Sequence, residues 1–303
     1  MRILITGGAG FIGSHWVDYL IKNNLSVTVI DNLSSGFLSN LNKNAAFYKT
    51  NITNYKVLHE IFKNVKPYLV YHLAANTNAP LSVKNPLYDF QTLRGSLNVI
   101  HLCNIFGVKR IVYTSSGFIY GNTKERPTKE SETPKPLSPY GISKRCIEDY
   151  LRFYKTTYNL EYVVLRPSTV YGPRQRKGAI ADYIDKLSKN LQAEIYGDGS
   201  KTRDYLFIED FIEALARVTN LEDLKDPVFN VGTAKETSLK DLYSTIAELL
   251  HKKAKPIYKP ERAGELQFYS LDYSKIHKAA GWKPKTTLAE GLKKTLDWWR
   301  SLT

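Results

Sequence analysis

The chain opens MRILITGGAGFIGSH: a short apolar run meets a glycine cluster and continues as an apolar helical pattern. Few local features constrain a fold as strongly. Residues 2–6, RILIT, read as a buried strand, and 11–23 carry helical spacing. Between them Gly7, Gly10 and Gly13 form a G-x-x-G-x-x-G pattern. Glycine permits a tight turn and close approach of the backbone to a phosphate, and the helix start offers free N–H groups and a positive dipole end. Alone, the cluster reads equally well as a tight structural turn. The second strand, SVTVID at 26–31, separates the two readings. It ends in Asp31, at the spacing expected of a carboxylate that bonds a ribose diol. A carboxylate there repels a 2′-phosphate, and the following NLSSG holds no arginine to receive one, so the pattern selects NAD over NADP.

Further along, YLVYHLAA (68–75), RIVYTSS (110–116) and EYVVLRP (161–167) read as strands, and 87–106 and 140–158 as helices. Strands alternating with helices imply a doubly wound (Rossmann) parallel α/β sheet. From about residue 167 the elements shorten after the Pro/Gly-punctuated loop RPSTVYGPRQRKG. Helices are expected near 178–190, 209–220, 238–252 and 287–299, and a strand at 228–232. No flexible linker divides the chain. The expected organisation is a dinucleotide domain over 1–167 that takes back roughly 205–235, and a smaller, interwoven α/β substrate lobe over the rest of 168–303.

With 303 residues the chain can bury a large core. It has no apolar run long enough for a membrane span, no visible leader and only two cysteines, Cys103 and Cys146, so a cytoplasmic protein is expected. No metal-ligand set is read from it. Net charge is +14. The lysines are scattered, locally dense only at 251–262, and no nucleic-acid motif accompanies them. A solvated lysine-rich surface and a basic cleft for a diphosphate both fit; a nucleic-acid or membrane partner is not expected.

The second chemical signal is SPYGISK at 138–144. Tyr140 and Lys144, four apart at a helix start, share one face. A phenol is a poor base at neutral pH, but a nearby ammonium and a cationic nicotinamide would lower its pKa. Ser116, at the end of a strand, can bond the same substrate oxygen. Together they suit moving a proton on and off a carbinol while hydride moves to NAD.

These stretches, with GVKRIVYTSS, VYGPRQ, IYGDGSKTRDYLFIED, PERAGE and AGWKPKTTLAEGL, run over nearly the whole chain. They resemble the extended short-chain dehydrogenases/reductases acting on nucleotide sugars, most of all the UDP-glucose (galactose) 4-epimerases. The resemblance implies cofactor contacts from Phe11, Ile12, Asn32, Ser35, Gly36, Asn51, Ile52, Leu73, Ala74, Ala75 and Pro167, beside the three glycines, Asp31, Tyr140 and Lys144. It implies substrate contacts from Ser116, Thr169, Arg203, Arg262 and Tyr269, with the two arginines on the diphosphate, and a homodimer formed through 87–106 and 140–158.

The departures bear on substrate. The family favours asparagine where this chain has Thr92 and Thr169. Gly117 and Phe118 stand where 4,6-dehydratases carry the Asp-Glu pair that removes water, which excludes that reaction. A bulky Tyr269 is expected to crowd an N-acetyl group. Reversible 4-epimerisation of a UDP-hexose is therefore the leading expectation. A C2 or C4 epimerase acting on a CDP-, GDP- or UDP-uronic acid sugar is the alternative, and a non-catalytic NAD-binding regulator the remote one.

Overall fold

The computed structural model describes residues 1–302 apart from 223 and 254. Its centre is a seven-stranded sheet built from β1 (Arg2–Thr6), β2 (Ser26–Asp31), β3 (Ala46–Lys49), β4 (Leu69–His72), β5 (Arg110–Thr114), β6 (Glu161–Pro167) and a last strand, Val228–Val231. From one edge the order is Val228–Val231, β6, β5, β4, β1, β2, β3, and every neighbouring pair is parallel. The expected doubly wound sheet is thus the observed one.

Strands buried on both faces read as continuous apolar runs, and alternation assigns each residue to a face. Ile3, Ile5, Val27, Val29, Val163 and Leu165 pack into one core with Trp16, Val17 and Leu20 of α1 (Phe11–Lys22) and Phe211 and Leu215 of a later helix. Leu4, Ile30, Val70, Ile111 and Val164 enter the opposite core. There they meet α2 (Tyr55–Val65), α4 (Phe90–Ile105) and α5 (Pro139–Tyr158); α3 (Ala79–Lys84) packs against α5.

No element is expected from the sequence between residues 32 and 67, where the structure has β3 and α2. β3 is four residues long and largely exposed, leaving little periodicity to read. α2 did carry a signal: Leu58, Ile61 and Phe62 are spaced for one helical face and are buried.

After β6 the chain leaves the sheet. Thr169–Tyr171 pairs with Tyr205–Phe207, Glu194–Tyr196 with Ile257–Lys259, and Thr202–Arg203 with Thr237–Ser238. α6 (Ala179–Ser188) and α8 (Leu239–Leu249) pack together beside them. Between these segments α7 (Ile208–Thr219) returns to pack on α1 and β6, and the last sheet strand follows it. α9 (Ser274–Ala280) packs on that strand, and α10 (Leu288–Arg300) closes the chain.

Candidate active site

In open parallel sheets ligands bind beyond the strand C-termini, at the point where the winding reverses. Here that point lies between β1, paired with β2 on one side, and β4 on the other. A cleft of about 800 Å³ opens there.

The glycine turn forms one end. Gly7 has φ of +76°, and a Cβ on it would lie 2.7 Å from the Ala74 nitrogen. A Cβ on Gly13 would lie 2.1 Å from the Gly7 carbonyl oxygen, so α1 can press against the strand–helix turn only as glycine. Gly10 differs: its nearest neighbour is 3.2 Å away, and it faces the cleft as the N-cap of α1. No side chain caps that helix, so its first N–H groups stay available to an anion. Phe11, Ile12 and Gly13 line the cleft at this end.

Asp31, at the end of β2, accepts from the Ala9 N–H at 3.0 Å and the Leu33 N–H at 2.8 Å. These two bonds orient the carboxylate, which lines the cleft. Asn32, Ser35, Asn51, Ile52, Leu73, Ala74, Ala75 and Pro167 line it too. Gly36 does not: it packs on the Ala9 backbone, with a would-be Cβ 3.1 Å from Asp31 Oδ2, and lets its loop close on the turn. Phe37 faces the cleft beside it.

At the centre stand Ser116, Tyr140 and Lys144. Ser116 follows β5 and starts a short 3₁₀ turn, its hydroxyl accepting from the Phe118 N–H at 3.2 Å. Ser138 caps α5 by accepting from the Gly141 N–H, and Pro139 occupies the first turn, so the tyrosine and lysine fall one turn apart at the helix start. The Ser116 hydroxyl acts on the Tyr140 phenol as a polar neighbour that favours its ionised form. Lys144 donates to the Thr114 carbonyl at 2.7 Å and lies 4.8 Å from the centre of the Tyr113 ring.

The charges differ from expectation. Burial pushes Tyr140 up to about 12; the Ser116 hydroxyl opposes this and the Asp89 charge adds to it. Burial also pushes Lys144 down to about 7, against the Asp89 and Glu148 charges. Burial thus sets the direction at both groups. Asp89, which sequence reading missed, heads α4 without capping it and is 2% exposed. Glu148 is taken up by Arg166, whose guanidinium donates to it at 3.1 and 2.6 Å.

The far end is basic. Lys177, Lys186, Arg203 and Arg262 line it, against Asp182, Glu194 and Glu265, while Arg174, paired with Asp18 of α1, and Arg176, over the Phe37 ring, line the cleft nearer the glycine turn. Part of the net charge is thus gathered in the cleft. Arg203 donates to the Thr202 and Leu266 carbonyls at 2.7 and 2.9 Å, and Arg262 lies 3.3 Å from the Tyr196 ring centre. Thr169 lines the cleft with its hydroxyl unbonded within the chain, and Thr92 accepts from the Asn76 N–H at 3.1 Å. Tyr269 is 2% exposed and does not reach the cleft; Phe118, which packs on it, does.

The uncapped helix start, the glycine cradle and Asp31 fit a dinucleotide. Among the described residues no group of His, Cys, Asp and Glu could hold a metal, and no helix is long and apolar enough to cross a membrane.

Known proteins agree with this geometry. The model of the NAD dependent epimerase/dehydratase family matches residues 3–232. A putative UDP-glucose 4-epimerase of Methanocaldococcus jannaschii is 39% identical, covering 99% of this chain and 98% of the relative. The UDP-glucose 4-epimerase of Thermotoga maritima, solved with UDP-glucose, superposes with a TM-score of 0.96 at 41% identity, over 100% of this chain and 99% of its own. That of Thermus thermophilus, solved with NAD, gives a TM-score of 0.93 at 36% identity over the whole of both chains. The chain belongs to the NAD-dependent epimerase/dehydratase family and is an NAD-dependent nucleotide-sugar epimerase.

Proposed function

We propose that the chain interconverts UDP-glucose and UDP-galactose by inverting C4. One observation carries this reading: Ser116, Tyr140 and Lys144 stand in the same cleft as the glycine cradle at one end and Arg203 and Arg262 at the other. In this reading residues 1–167 hold NAD and the smaller lobe holds the nucleotide sugar. Gly10, Phe11, Ile12 and Gly13 present backbone N–H groups to the pyrophosphate, Asp31 accepts from the adenosine ribose, and Lys144 from above β5 bonds the other ribose. NAD held there would supply the hydride acceptor and donor for C4, and its ring charge would oppose the burial that holds Tyr140 protonated. Tyr140 takes and returns the O4 proton, and Ser116 holds that oxygen in line. Arg203 and Arg262 clamp the diphosphate, so the oxidised sugar can turn about its phosphate bonds and present its other face.

Incubating the protein with UDP-glucose and following products by NMR tests the reading directly. Formation of UDP-galactose supports it, and no conversion of any UDP-sugar defeats it. Tyr140→Phe should retain NAD and lose on the order of 10²–10⁴ in turnover, the usual worth of a positioned acid–base group.

The chain is further read as a homodimer. Phe90 and Ile105 of α4 and Ile142, Tyr150, Phe153 and Tyr158 of α5 are exposed although these two helices pack side by side. Such a patch on adjacent helices suits a second copy.

A further inference from the structure

His72 ends β4 and is fully buried, and no step of the proposed reaction uses it. It stands opposite Thr6 in the register of β1 with β4 and opposite Tyr113 in that of β4 with β5, so the three side chains share one face of the sheet. Both ring nitrogens are bonded: Nδ1 lies 2.6 Å from Thr6 Oγ1, and Nε2 lies 2.7 Å from Ser96 Oγ of α4. The two ends of this chain place its protons. Ser96 donates to the Thr92 carbonyl at 2.7 Å, which can only accept, so the bond to Ser96 comes from a proton on His72 Nε2. The Ala74 N–H, which can only donate, meets Thr6 Oγ1 at 3.3 Å, so the Thr6 proton goes to His72 Nδ1. A second proton on Nδ1 would leave the Thr6 hydroxyl between two donors with no acceptor for its own proton. Burial lowers the ring to about 3 and the Lys144 charge adds to this, in keeping with one neutral tautomer.

Both ends of the chain reach the loop after β4. Ala74 lines the cleft and packs against the glycine turn at Gly7. Thr92 accepts on its own hydroxyl from the Asn76 N–H at 3.1 Å. Across the sheet the His72 ring stacks on that of Tyr113, with centres 5.6 Å apart and planes 21° from parallel, and Lys144 Nζ lies 4.8 Å from the Tyr113 ring centre.

We propose that His72 is a positioning residue of the site: fixed as the tautomer protonated on Nε2, it locks residues 73–76 between β1 and α4 and backs the Tyr113 ring against Lys144. This rests on the reading above that residues 1–167 hold NAD in the cleft. His72 does not line the cleft and acts through Ala74, Thr92 and Tyr113. The neutral form serves both tasks. It alone satisfies the Thr6 and Ser96 hydroxyls together, and buried hydroxyls left unbonded are costly. It also backs the aromatic seat of an ammonium group, where a second cation would repel it.

The test joins side-chain ¹⁵N NMR of the NAD-loaded wild type with His72→Phe and His72→Gln. The spectrum should show His72 with a protonated Nε2 and a bare Nδ1 at neutral pH. His72→Phe keeps an aromatic ring and loses both bonds. It should retain less NAD through purification and lose on the order of 10²-fold in turnover, the cost of misplacing reacting groups by about 1 Å. His72→Gln keeps an amide donor for Ser96, should lose less, and carries the comparison if the phenylalanine variant does not fold. UDP alone, bound at the far end of the cleft, should bind both variants as it binds the wild type in calorimetric titration. A proton on Nδ1, or variants that retain NAD and turn over like the wild type, overturns the proposal. So does a parallel loss of UDP affinity, which marks a merely structural role. A wild type that shows the expected tautomer, and loses NAD on substitution, but converts no UDP-sugar defeats the epimerase reading alone. Wild-type conversion with Nδ1 protonated defeats this one alone.

Discussion

Lys144 donates to the Thr114 carbonyl at 2.7 Å, which ties the start of α5 to the end of β5 with the ammonium 5.9 Å from the centre of the Tyr140 ring. The bond leaves the ammonium charged in a place that disfavours charge, and burial lowers its pKa from 10.5 to about 7. Below about pH 7 the folded protein bears the full cost of that charge. Between there and 10.5 the unfolded chain still binds the proton that the folded chain has released, so this group makes stability rise with pH. Lys144→Met should therefore melt above the wild type when both are nucleotide-free at neutral pH, and the gap should shrink as pH climbs. Tyr140, pushed up to about 12, makes stability fall with pH above 10, so thermal melts belong below that. A gap independent of pH would refute the assignment. Turnover by the variant should be lost.

Two of the three glycines of the turn, Gly13 and Gly10, should separate folding from binding. Gly13→Ala puts a methyl 2.1 Å from the Gly7 carbonyl oxygen, a backbone atom that cannot swing away. It should cost about 1–3 kcal/mol, the usual cost of overpacking, and abolish cofactor retention. Gly10→Ala meets nothing closer than 3.2 Å inside the protein but adds bulk to the cleft. It should melt close to wild type and still bind NAD more weakly. Melting curves and the nucleotide content of purified protein decide both.

Asp31 serves the turn and, in the proposed reading, the cofactor as well. Its oxygens accept from the Ala9 and Leu33 N–H groups. Asp31→Asn removes the charge and one acceptor, so it should lower stability by about 1 kcal/mol, the net worth of one hydrogen bond. It should also shift the ratio of NADP to NAD affinity upward, which competitive titration measures. An unchanged ratio would mean the carboxylate does not face the ribose.

The homodimer is the simplest to test. Ile142 and Phe153 are 55% and 50% exposed on α5. Ile142→Glu with Phe153→Glu should convert a dimer to a monomer in sedimentation while leaving the circular dichroism unchanged. A wild type that sediments as a monomer removes the proposal.

Much of the site was legible because its signals are local. Gly7, Gly10 and Gly13 mark a strand–helix turn by spacing alone, Asp31 ends the next apolar run, and Tyr140 and Lys144 fall on one helical face within five residues. The structure brings all of them to one cleft. Legibility failed where contacts span long sequence distances. Tyr269 reads as a pocket wall until the Pro167 carbonyl, 102 residues away, is seen to hold it behind Phe118. The packing of Gly36 on the Ala9 backbone likewise shows only once the two loops meet.

The sequence alone thus determined the doubly wound sheet, the glycine turn that fits NAD and the candidates for proton transfer, because helix and strand periodicity and glycine geometry act over a few residues. Only the tertiary structure decided the charge state of those groups and the shape of the sugar pocket. Desolvation of Tyr140 and Lys144 depends on everything packed around them, and the stack of Pro167, Tyr269 and Phe118 exists only once three distant segments meet.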